Sequence, residues 1–259
     1  QITAVASTTS ATISVAALRT STHIRATVSP VGAGLEIGAN AAGNNDNHTI
    51  EDNSFFSDVC IGLYVSSLTG QVKQLRIYNT RFGTNGFGIF LATGSFEARG
   101  MAFASNWIAD VGDSGPQEYK LIDGAHSEGS SALWRSYQGG TSPDAIQLSN
   151  YRFDSEVGEN DGYIIVYTRS GALNLFNVSV GPLAAEQARY KVRCPGGAGE
   201  FIVNMIGGYW TSNSPVSSAA AVNKINIIGV RGWSGAGLTD IPNSFGGQVD
   251  FASGNFSIN

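Results

Sequence analysis

Short runs along the chain alternate between apolar and polar residues and then stop at a small, turn-forming residue. In the segment LRIYNTRF, Leu75 and Ile77 alternate with more polar side chains, and the run stops at Asn79. Alternation with a period of two is typical of a half-buried strand. Asparagine tolerates a left-handed backbone, and Phe82 follows three residues later. The segment therefore predicts a strand, a bend at Asn79 and a return to the interior at Phe82.

The same frame recurs along most of the chain, and a second apolar run precedes most of its copies. The predicted bends fall at Asp52, Asn79, Gly100, Asp123, Asn150, Asn177, Gly207, Gly229 and Ser253. Successive bends are about 21 to 30 residues apart, the range expected for one coil of a solenoid. Each coil is therefore expected to contain at least two strands.

Positions two and four residues before each bend are mostly aliphatic, and the position three residues after it is mostly aromatic. The residues at this last position are Phe55, Phe82, Phe103, His126, Phe153, Val180, Trp210, Gly232 and Phe256. Stacked coils would place like residues about 4.8 Å apart in interior ladders. We therefore predict an all-β, parallel β-helix of about nine to ten coils. The frame also predicts that His48 and His126 lie in the interior.

The outward positions offer a test of the register. Three residues before the bend, successive coils carry Arg76, Glu97 and Lys120. Stacking would bring these side chains together as a ladder of alternating charge. Exposed ion pairs contribute only about 0–1 kcal/mol each, so the ladder bears on the register more than on stability.

The I-x-N-x-x-F frame, present at Ile77, Asn79 and Phe82, resembles that of the right-handed parallel β-helix family of pectate lyases, polygalacturonases and viral tailspikes. The resemblance covers most of residues 24–259. It implies a single-stranded, right-handed parallel β-helix domain over residues 24–259. Residues 1–23 would then form an N-terminal strand, cap or linker.

The catalytic signatures of the plant-wall enzymes do not occur in the sequence. It has no Asn-Thr-Asp, adjacent Asp-Asp, Gly-His-Gly or Arg-Ile-Lys motif of a polygalacturonase, and no Trp-Ile-Asp-His motif of a pectate lyase. The Asn- and Gly-rich coils are more similar to a bacteriophage tailspike or tail-fibre segment. That resemblance implies a homotrimer in the virion tail, or otherwise outside the cell, that recognises or degrades a bacterial surface polysaccharide.

Charge and hydropathy exclude two classes of partner. The 259 residues include only 15 Lys and Arg and carry a net charge of -5, whereas nucleic-acid-binding proteins cluster basic residues on one face. No apolar run approaches the roughly 18 residues that cross a bilayer. We therefore expect neither a nucleic-acid partner nor membrane insertion.

Acidic residues after two successive bends are candidates for catalysis. Glycoside hydrolysis commonly uses two carboxyl groups about 5–9.5 Å apart. Glu128 and Glu156 follow successive bends, and Asp154 is close to the second of them. These three residues would serve a polysaccharide hydrolase or lyase. The alternatives are a solvated acidic loop and a calcium site, although DSEVGENDG lacks the spacing of a known calcium loop.

Aromatic residues in loops or at outward positions are candidates for sugar binding, because apolar sugar faces rest on exposed rings. The candidates are Trp107, Trp134, Tyr137, Tyr151, Tyr209 and Trp233. Tyr151 and Tyr209 are expected to be the most exposed. The alternative is that these rings lie between subunits, where Tyr and Trp are enriched.

Histidine and cysteine spacing predicts no metal site and no cofactor. His23, His48 and His126 lack the spacing of metal ligands. Cys60 and Cys194 fall on second strands five coils apart, too far for a disulfide, so two buried free thiols are expected.

Three functions remain open from the sequence. The first is a glycan-recognising tailspike or tail-fibre segment, with or without degradation of the polysaccharide. The second is a free-standing polysaccharide hydrolase or lyase. The third is a non-catalytic structural or adhesin-type solenoid.

Overall fold

The structure is a computed structural model. It describes residues 2–7, 10–13, 32–38, 45–51, 54–66, 72–114, 119–137, 140–155, 163–167, 169–182, 191–194, 201–210, 216–218, 224–228, 230, 247–251 and 254–258. Within these ranges the chain forms strands, turns and bends, and no helix. The predicted bends at Asp52, Gly229 and Ser253, and the predicted interior position at Gly232, lie outside them.

Two large sheets run through the molecule, with strands numbered along the chain. Sheet 1 contains fourteen strands: β5 (Thr49–Ile50), β6 (Phe55–Ser57), β9 (Leu75–Tyr78), β10 (Arg81–Gly83), β12 (Phe96–Ala104), β14 (Tyr119–Glu128), β16 (Gly140–Ser155), β18 (Arg169–Phe176), β19 (Ser179–Pro182), β21 (Phe201–Ile206), β22 (Tyr209–Trp210), β24 (Lys224–Ile228), β25 (Gly247–Phe251) and β26 (Gly254–Ile258). Sheet 2 contains eight strands: β3 (Ala33–Gly38), β7 (Ile61–Ser66), β11 (Phe87–Leu91), β13 (Ala109–Asp113), β15 (Trp134–Ser136), β17 (Tyr163–Val166), β20 (Lys191–Cys194) and β23 (Val216–Ser218).

Two further pairs of strands lie outside these sheets. Strands β1 (Ile2–Ser7) and β2 (Ser10–Ile13) form an antiparallel pair. Strands β4 (Asn45–Asp46) and β8 (Val72–Lys73) form a short parallel pair.

The chain passes from sheet 1 to sheet 2 and back in each coil, and strands of successive coils pair in parallel. Strand β12, for example, pairs with β14 on sheet 1, while β11 pairs with β13 on sheet 2. This arrangement confirms the predicted parallel β-solenoid. The coil count is somewhat lower than nine to ten, because sheet 2 has 8 strands. A right-handed sense of winding stays a prediction.

Like residues from successive coils stack inside the solenoid, as the alternation predicts. On sheet 1, one interior row holds Ile50, Ile77, Ala98, Ile122, Leu148, Leu175 and Met205. On sheet 2, an interior row holds Leu63, Ile89, Val111, Trp134, Ile165 and Val192. His48 is also buried, as predicted.

The bends also form a ladder, and in each of them the backbone is left-handed. The φ angles lie between 49° and 68° at Asn79, Gly100, Gly124, Asn150, Asn177 and Gly207. Side chains link some of these coils, because Asn177 Nδ2 donates to Asn150 Oδ1 at 2.9 Å and Asn150 Nδ2 donates to Asp123 Oδ1 at 2.9 Å. Among the predicted bends that fall on described residues, all are confirmed except Asp123, where the following residue, Gly124, makes the turn.

This shift of one residue changes which side chains of β14 face inward. Lys120, rather than Tyr119, pairs with Phe96 and is fully buried, while Tyr119 is 43 % exposed. His126 is exposed and Ser127 is buried, so the prediction of an interior His126 is wrong. Arg76 and Glu97 are register partners, but Lys120 does not extend their charge ladder.

A stack of phenylalanine rings lies over a row of glycines in the first coils. The ring centroids of Phe56 and Phe82 are 5.2 Å apart, and those of Phe82 and Phe103 are 5.7 Å apart. A Cβ atom on Gly62 would lie 2.7 Å from the Phe82 ring, and one on Gly88 would lie 2.9 Å from the Phe103 ring. The missing side chains therefore make room for the rings.

The same row corrects the prediction for the first coil. Phe56, not Phe55, is the register partner of Phe82, and Phe55 is exposed. Further along the row, Phe153, Val180 and Trp210 are buried as predicted.

The last predicted coil does not form. Strands β25 and β26, on either side of the predicted bend at Ser253, pair antiparallel, with Val249 opposite Phe256. The chain therefore ends sheet 1 with a hairpin rather than with another coil.

Candidate functional site

Two of the three predicted catalytic residues lie side by side on sheet 1. Glu128 and Asp154 are register partners at the ends of β14 and β16. Adjacent strands are about 4.8 Å apart, so the two carboxylate-bearing residues occupy neighbouring rungs of one face. Ala104 and Gly181 are their partners on the next rungs, and these small residues leave space on both sides of the pair. Glu156 lies outside the described residues.

A second outward row runs beside the acidic pair. It contains His126, Arg152, Ser179 and Tyr209 on successive coils. Arg152 Nε lies 2.7 Å from Asp154 Oδ2, and His126 Nε2 lies 3.5 Å from the same oxygen. We refer to Glu128, Asp154, His126, Arg152 and Tyr209 as the sheet-1 face. It combines two carboxylate side chains, the basic side chains of His126 and Arg152, and the exposed ring of Tyr209.

Aromatic residues collect on the outside of sheet 2. Tyr64 and Phe90 are register partners on β7 and β11, with centroids 6.1 Å apart. Phe87 meets Phe90 edge to face at 5.1 Å, and Tyr137 lies 5.8 Å from Phe87 and 6.2 Å from Phe90. These four residues form the outer ring cluster. Of these four residues, only Tyr137 was predicted from the sequence to bind sugar.

Backbone geometry explains why this cluster lies flat against the sheet. Gly112 follows Phe90 in the outward row, and a Cβ atom there would lie 2.7 Å from the Phe90 ring and 2.8 Å from the Phe87 ring. Tyr137 follows β15, two coils beyond Phe90, and its N–H donates to the carbonyl of Asp113 at 2.8 Å. This bond anchors the backbone that brings the Tyr137 ring back against Phe87 and Phe90.

The six predicted sugar-binding residues separate into three groups. Trp107, Tyr137 and Tyr209 are exposed, by 59 %, 57 % and 46 %. Trp134 and Tyr151 are buried, so the prediction that they contact a ligand at the surface is wrong. Trp233 lies outside the described residues.

Tyr151 is buried because it completes the ring stack. Its ring lies 6.3 Å from that of Phe103 and nearly parallel to it, at 10°. Ser127 occupies the next position of the phenylalanine row, so a ring from the adjacent position fills the space. Met101 and Ala125, which precede Tyr151 in its own register row, are buried as well, so the tyrosine occupies an interior position and fills the space beside Ser127.

The interior of the solenoid also holds an ion pair. Lys120 Nζ lies 3.5 Å from Asp113 Oδ2, and both side chains are fully buried. Trp134 Nε1 and Ser136 Oγ donate to the same oxygen at 2.8 and 2.9 Å. The ammonium group also lies 5.6 Å from the centre of the Trp134 ring. This pair occupies core positions and faces no surface site.

Metal and thiol chemistry receive little support from the described residues. Among them, no group of three or more His, Cys, Asp or Glu side chains is placed to hold a metal ion. Cys60 is a free thiol and is exposed, so the prediction that it is buried is wrong. The backbone of Cys194 lies in β20, five strands from β7 along sheet 2.

No helix in the described part of the chain is long and apolar enough to cross a membrane.

Comparison with known proteins finds no family model, no curated protein and no solved structure that matches this chain. Assignment of a function therefore depends on the two surfaces described above.

Proposed function

We propose that this chain is the β-solenoid segment of a bacteriophage tailspike or tail fibre, acting as a homotrimer in the virion tail and binding a bacterial surface polysaccharide. The observation that carries the proposal is the outer ring cluster on sheet 2. Carbohydrate sites combine apolar surfaces with a few oriented polar groups. The Asn- and Gly-rich coils resemble those of tailspikes and give the proposal its biological setting.

The outer ring cluster is suited to a sugar chain because it presents an exposed ring, Tyr137, on half-buried Tyr64 and Phe90 and buried Phe87. Tyr137 is 57 % exposed, yet its ring is held by contacts with Phe87 and Phe90. The opposite side of the same strands packs into the core through Leu63 and Ile89. A fixed platform of this kind loses little conformational entropy when a ligand binds.

Charged residues lie at both ends of the outward row, and both are largely buried, with Glu36 8 % and Arg135 5 % exposed. Glu36 is the register partner of Tyr64, and Arg135 is the partner of Gly112. The row from Glu36 through Tyr64, Phe90 and Gly112 to Arg135 spans four strand spacings, about 19 Å. A polysaccharide that follows this row would contact mainly its rings, because the two charged side chains are largely buried.

Replacing Tyr137 with alanine tests this surface. We expect the variant to bind its polysaccharide about five-fold more weakly, since loss of one ring contact costs about 1 kcal/mol. Binding can be measured on an array of purified bacterial O-antigen and capsular polysaccharides, followed by titration of the best ligand. The matched control is Tyr119→Ala, which removes an exposed tyrosine from sheet 1.

An equal loss of polysaccharide affinity in the two tyrosine variants would contradict a binding surface formed by the rings on sheet 2. Unchanged affinity in Tyr137→Ala would contradict it as well. Light scattering on the same samples separates the remaining hypotheses. A trimer supports the tailspike proposal, whereas a monomer that cleaves polysaccharide supports a free-standing enzyme. A protein that binds no polysaccharide on the array supports a structural or adhesin-type solenoid.

Degradation of the bound polysaccharide is a second candidate function, favoured by the register of Glu128 and Asp154. In a hydrolase, Glu128 would protonate the leaving oxygen, and Asp154, faced by Arg152, would act as base or nucleophile. The spacing of adjacent strands, about 4.8 Å, is close to the shorter carboxylate separation of about 5–5.5 Å used by retaining enzymes.

Glu128→Gln tests this second candidate. It should lower the rate of polysaccharide cleavage by a factor of about 100 or more, because it removes the proton donor. Cleavage can be followed by size-exclusion chromatography of the products. Glu51→Gln, which changes an exposed residue directly after β5, is the matched control. Cleavage by Glu128→Gln at the wild-type rate would exclude this residue as the acid.

A further inference from the structure

The interior of the solenoid changes its pattern at one coil. In the preceding coils, Phe82 lies over Gly62 and Phe103 lies over Gly88. One coil further, Ser127 is the register partner of Phe103, and Asp110 lies beside Gly88 on the next strand of sheet 2. A phenylalanine over a glycine is thus replaced by a serine facing an aspartate.

Asp110 is completely buried and is surrounded by neutral hydrogen-bond donors. Asn106 Nδ2 donates to Asp110 Oδ1 at 2.9 Å, and the Tyr151 hydroxyl donates to Oδ2 at 2.9 Å. The hydroxyls of Ser127 and Ser130 also approach the carboxyl group. We call these five residues the Asp110 cluster. It connects β13 with β14, β16 and the adjoining turns.

The cluster also joins the hydrogen bonds that hold successive turns together. Asn106 Oδ1 accepts from the N–H of Asn85 at 3.2 Å, and the N–H of Asn106 donates to Ser130 Oγ at 3.1 Å. Asn106 Nδ2 also approaches the carbonyl of Phe82 at 3.4 Å. A disturbance at Asp110 would therefore reach the turns on both sides of its coil.

Each strand packed against Asp110 presents neutral groups to it. On sheet 2, Asp110 lies beside Gly88 and its N–H donates to the carbonyl of Ala132, and sheet 1 contributes Ser127 and Tyr151. Tyr151 is the one titratable residue among these described contacts. The nearest described charges along the strand are the Lys120–Asp113 pair, where Lys120 Nζ lies beside Asp113 and not beside Asp110.

We propose that the Asp110 cluster is a pH-sensitive switch inside the solenoid, which holds its neighbouring coils together while Asp110 carries a proton and loosens them once it is ionised. A buried carboxylate without a cation is unfavourable in the low-dielectric interior. This inference is independent of the proposed function, because it concerns a part of the core that no ligand reaches.

The direction of the effect follows from the proton equilibrium. Burial raises the pKa of Asp110 from 3.8 to about 6, although hydrogen bonds from its neighbours partly offset the rise. Burial, the Asp110 charge and the hydrogen bond to Asp110 raise the pKa of Tyr151 well above its usual value, so this donor stays protonated. The folded state therefore binds the Asp110 proton more tightly than the unfolded state. The stability that this proton contributes to the folded state is fully present below the pKa of Asp110 in the unfolded chain. It is lost as the pH rises through about 6, the pKa of Asp110 in the folded chain.

The test compares thermal unfolding of the wild-type chain and Asp110→Asn, by circular dichroism at several values between about pH 4 and pH 8. Asparagine is neutral throughout this range. We expect the midpoint of the wild type to fall relative to that of the variant by on the order of 5 °C as the pH rises. The protection of β12, β14 and β16 against hydrogen exchange, taken relative to the intrinsic exchange rate at each pH, should fall over the same range in the wild type only.

Two further variants keep the result decisive if Asp110→Asn folds poorly. Tyr151→Phe removes one donor from the ionised carboxyl group, so its midpoint should fall more steeply with pH than that of the wild type. Glu51→Gln, an exposed residue, should follow the wild-type profile. Parallel pH profiles for the wild type and Asp110→Asn, or an unchanged profile for Tyr151→Phe, would overturn the proposal.

Discussion

Asp113→Ala is expected to lower the free energy of unfolding by about 3–5 kcal/mol, because it leaves the Lys120 ammonium group buried without its carboxylate. Lys120 and Asp113 are both fully buried, so water does not screen the remaining charge. The substitution also removes the oxygen that accepts from Trp134 Nε1 and Ser136 Oγ. Each buried donor without an acceptor adds a further cost of about 1–3 kcal/mol.

Two controls show whether burial is the cause. Asp113→Leu combined with Lys120→Met replaces both charges with apolar side chains and should recover most of the lost stability. Arg99→Ala breaks an exposed ion pair with Glu97, whose two atoms are only 2.7 Å apart, and should cost about 0–1 kcal/mol. Equilibrium unfolding in guanidinium chloride measures all three. A cost for Asp113→Ala as small as that for Arg99→Ala would contradict this account.

Gly62→Ala is expected to destabilise the fold by about 1–3 kcal/mol or more through overpacking. A Cβ atom at Gly62 would lie 2.6 Å from the carbonyl oxygen of Gly88 and 2.7 Å from Cδ1 of Phe82. The first of these neighbours is backbone in the next coil, and the second belongs to the ring stack. Neither can move without disturbing the parallel pairing of β7 and β11.

The matched control is Gly38→Ala on the same sheet. A Cβ atom at Gly38 would meet Ser66 Cβ at 3.5 Å, an ordinary contact distance. Its effect on the free energy of unfolding should stay within about 0.5 kcal/mol. If the two alanine variants unfold at the same denaturant concentration, the glycine row is not required by the rings above it.

The coil frame could be predicted from sequence because two constraints coincide at each bend. Interior alternation before Asn79, Asn150 and Asn177 marks the strand, and asparagine marks the left-handed turn. Asp123 and Gly124 are adjacent and both are residue types that favour a bend, so the local sequence does not determine which of them makes it. Glycine takes the turn, and Lys120 becomes interior, where Asp113 of another strand accepts its charge. The pairing of Lys120 with Asp113 cannot be predicted from the alternation of residues within β14.

The surface sites were only partly predictable for a related reason. Counting from the bends placed Glu128 near Asp154, and the structure makes them register partners. Tyr64 and Phe90 were missed, although each lies between two inward aliphatic residues, a signal that marks an outward ring. The contact of Tyr137 with Phe87 and Phe90 depends on the backbone directly after β15 and has no periodic signature.

The hairpin of β25 and β26 has a consequence for assembly. Every other neighbouring pair of strands in sheet 1 runs parallel, whereas β26 runs against β25. An unpaired strand edge is a template for addition of another chain. At β26, a second molecule that continued the parallel winding would meet a strand of reversed polarity. Any strand that adds at β26 with the polarity of the coils would therefore form an antiparallel pair.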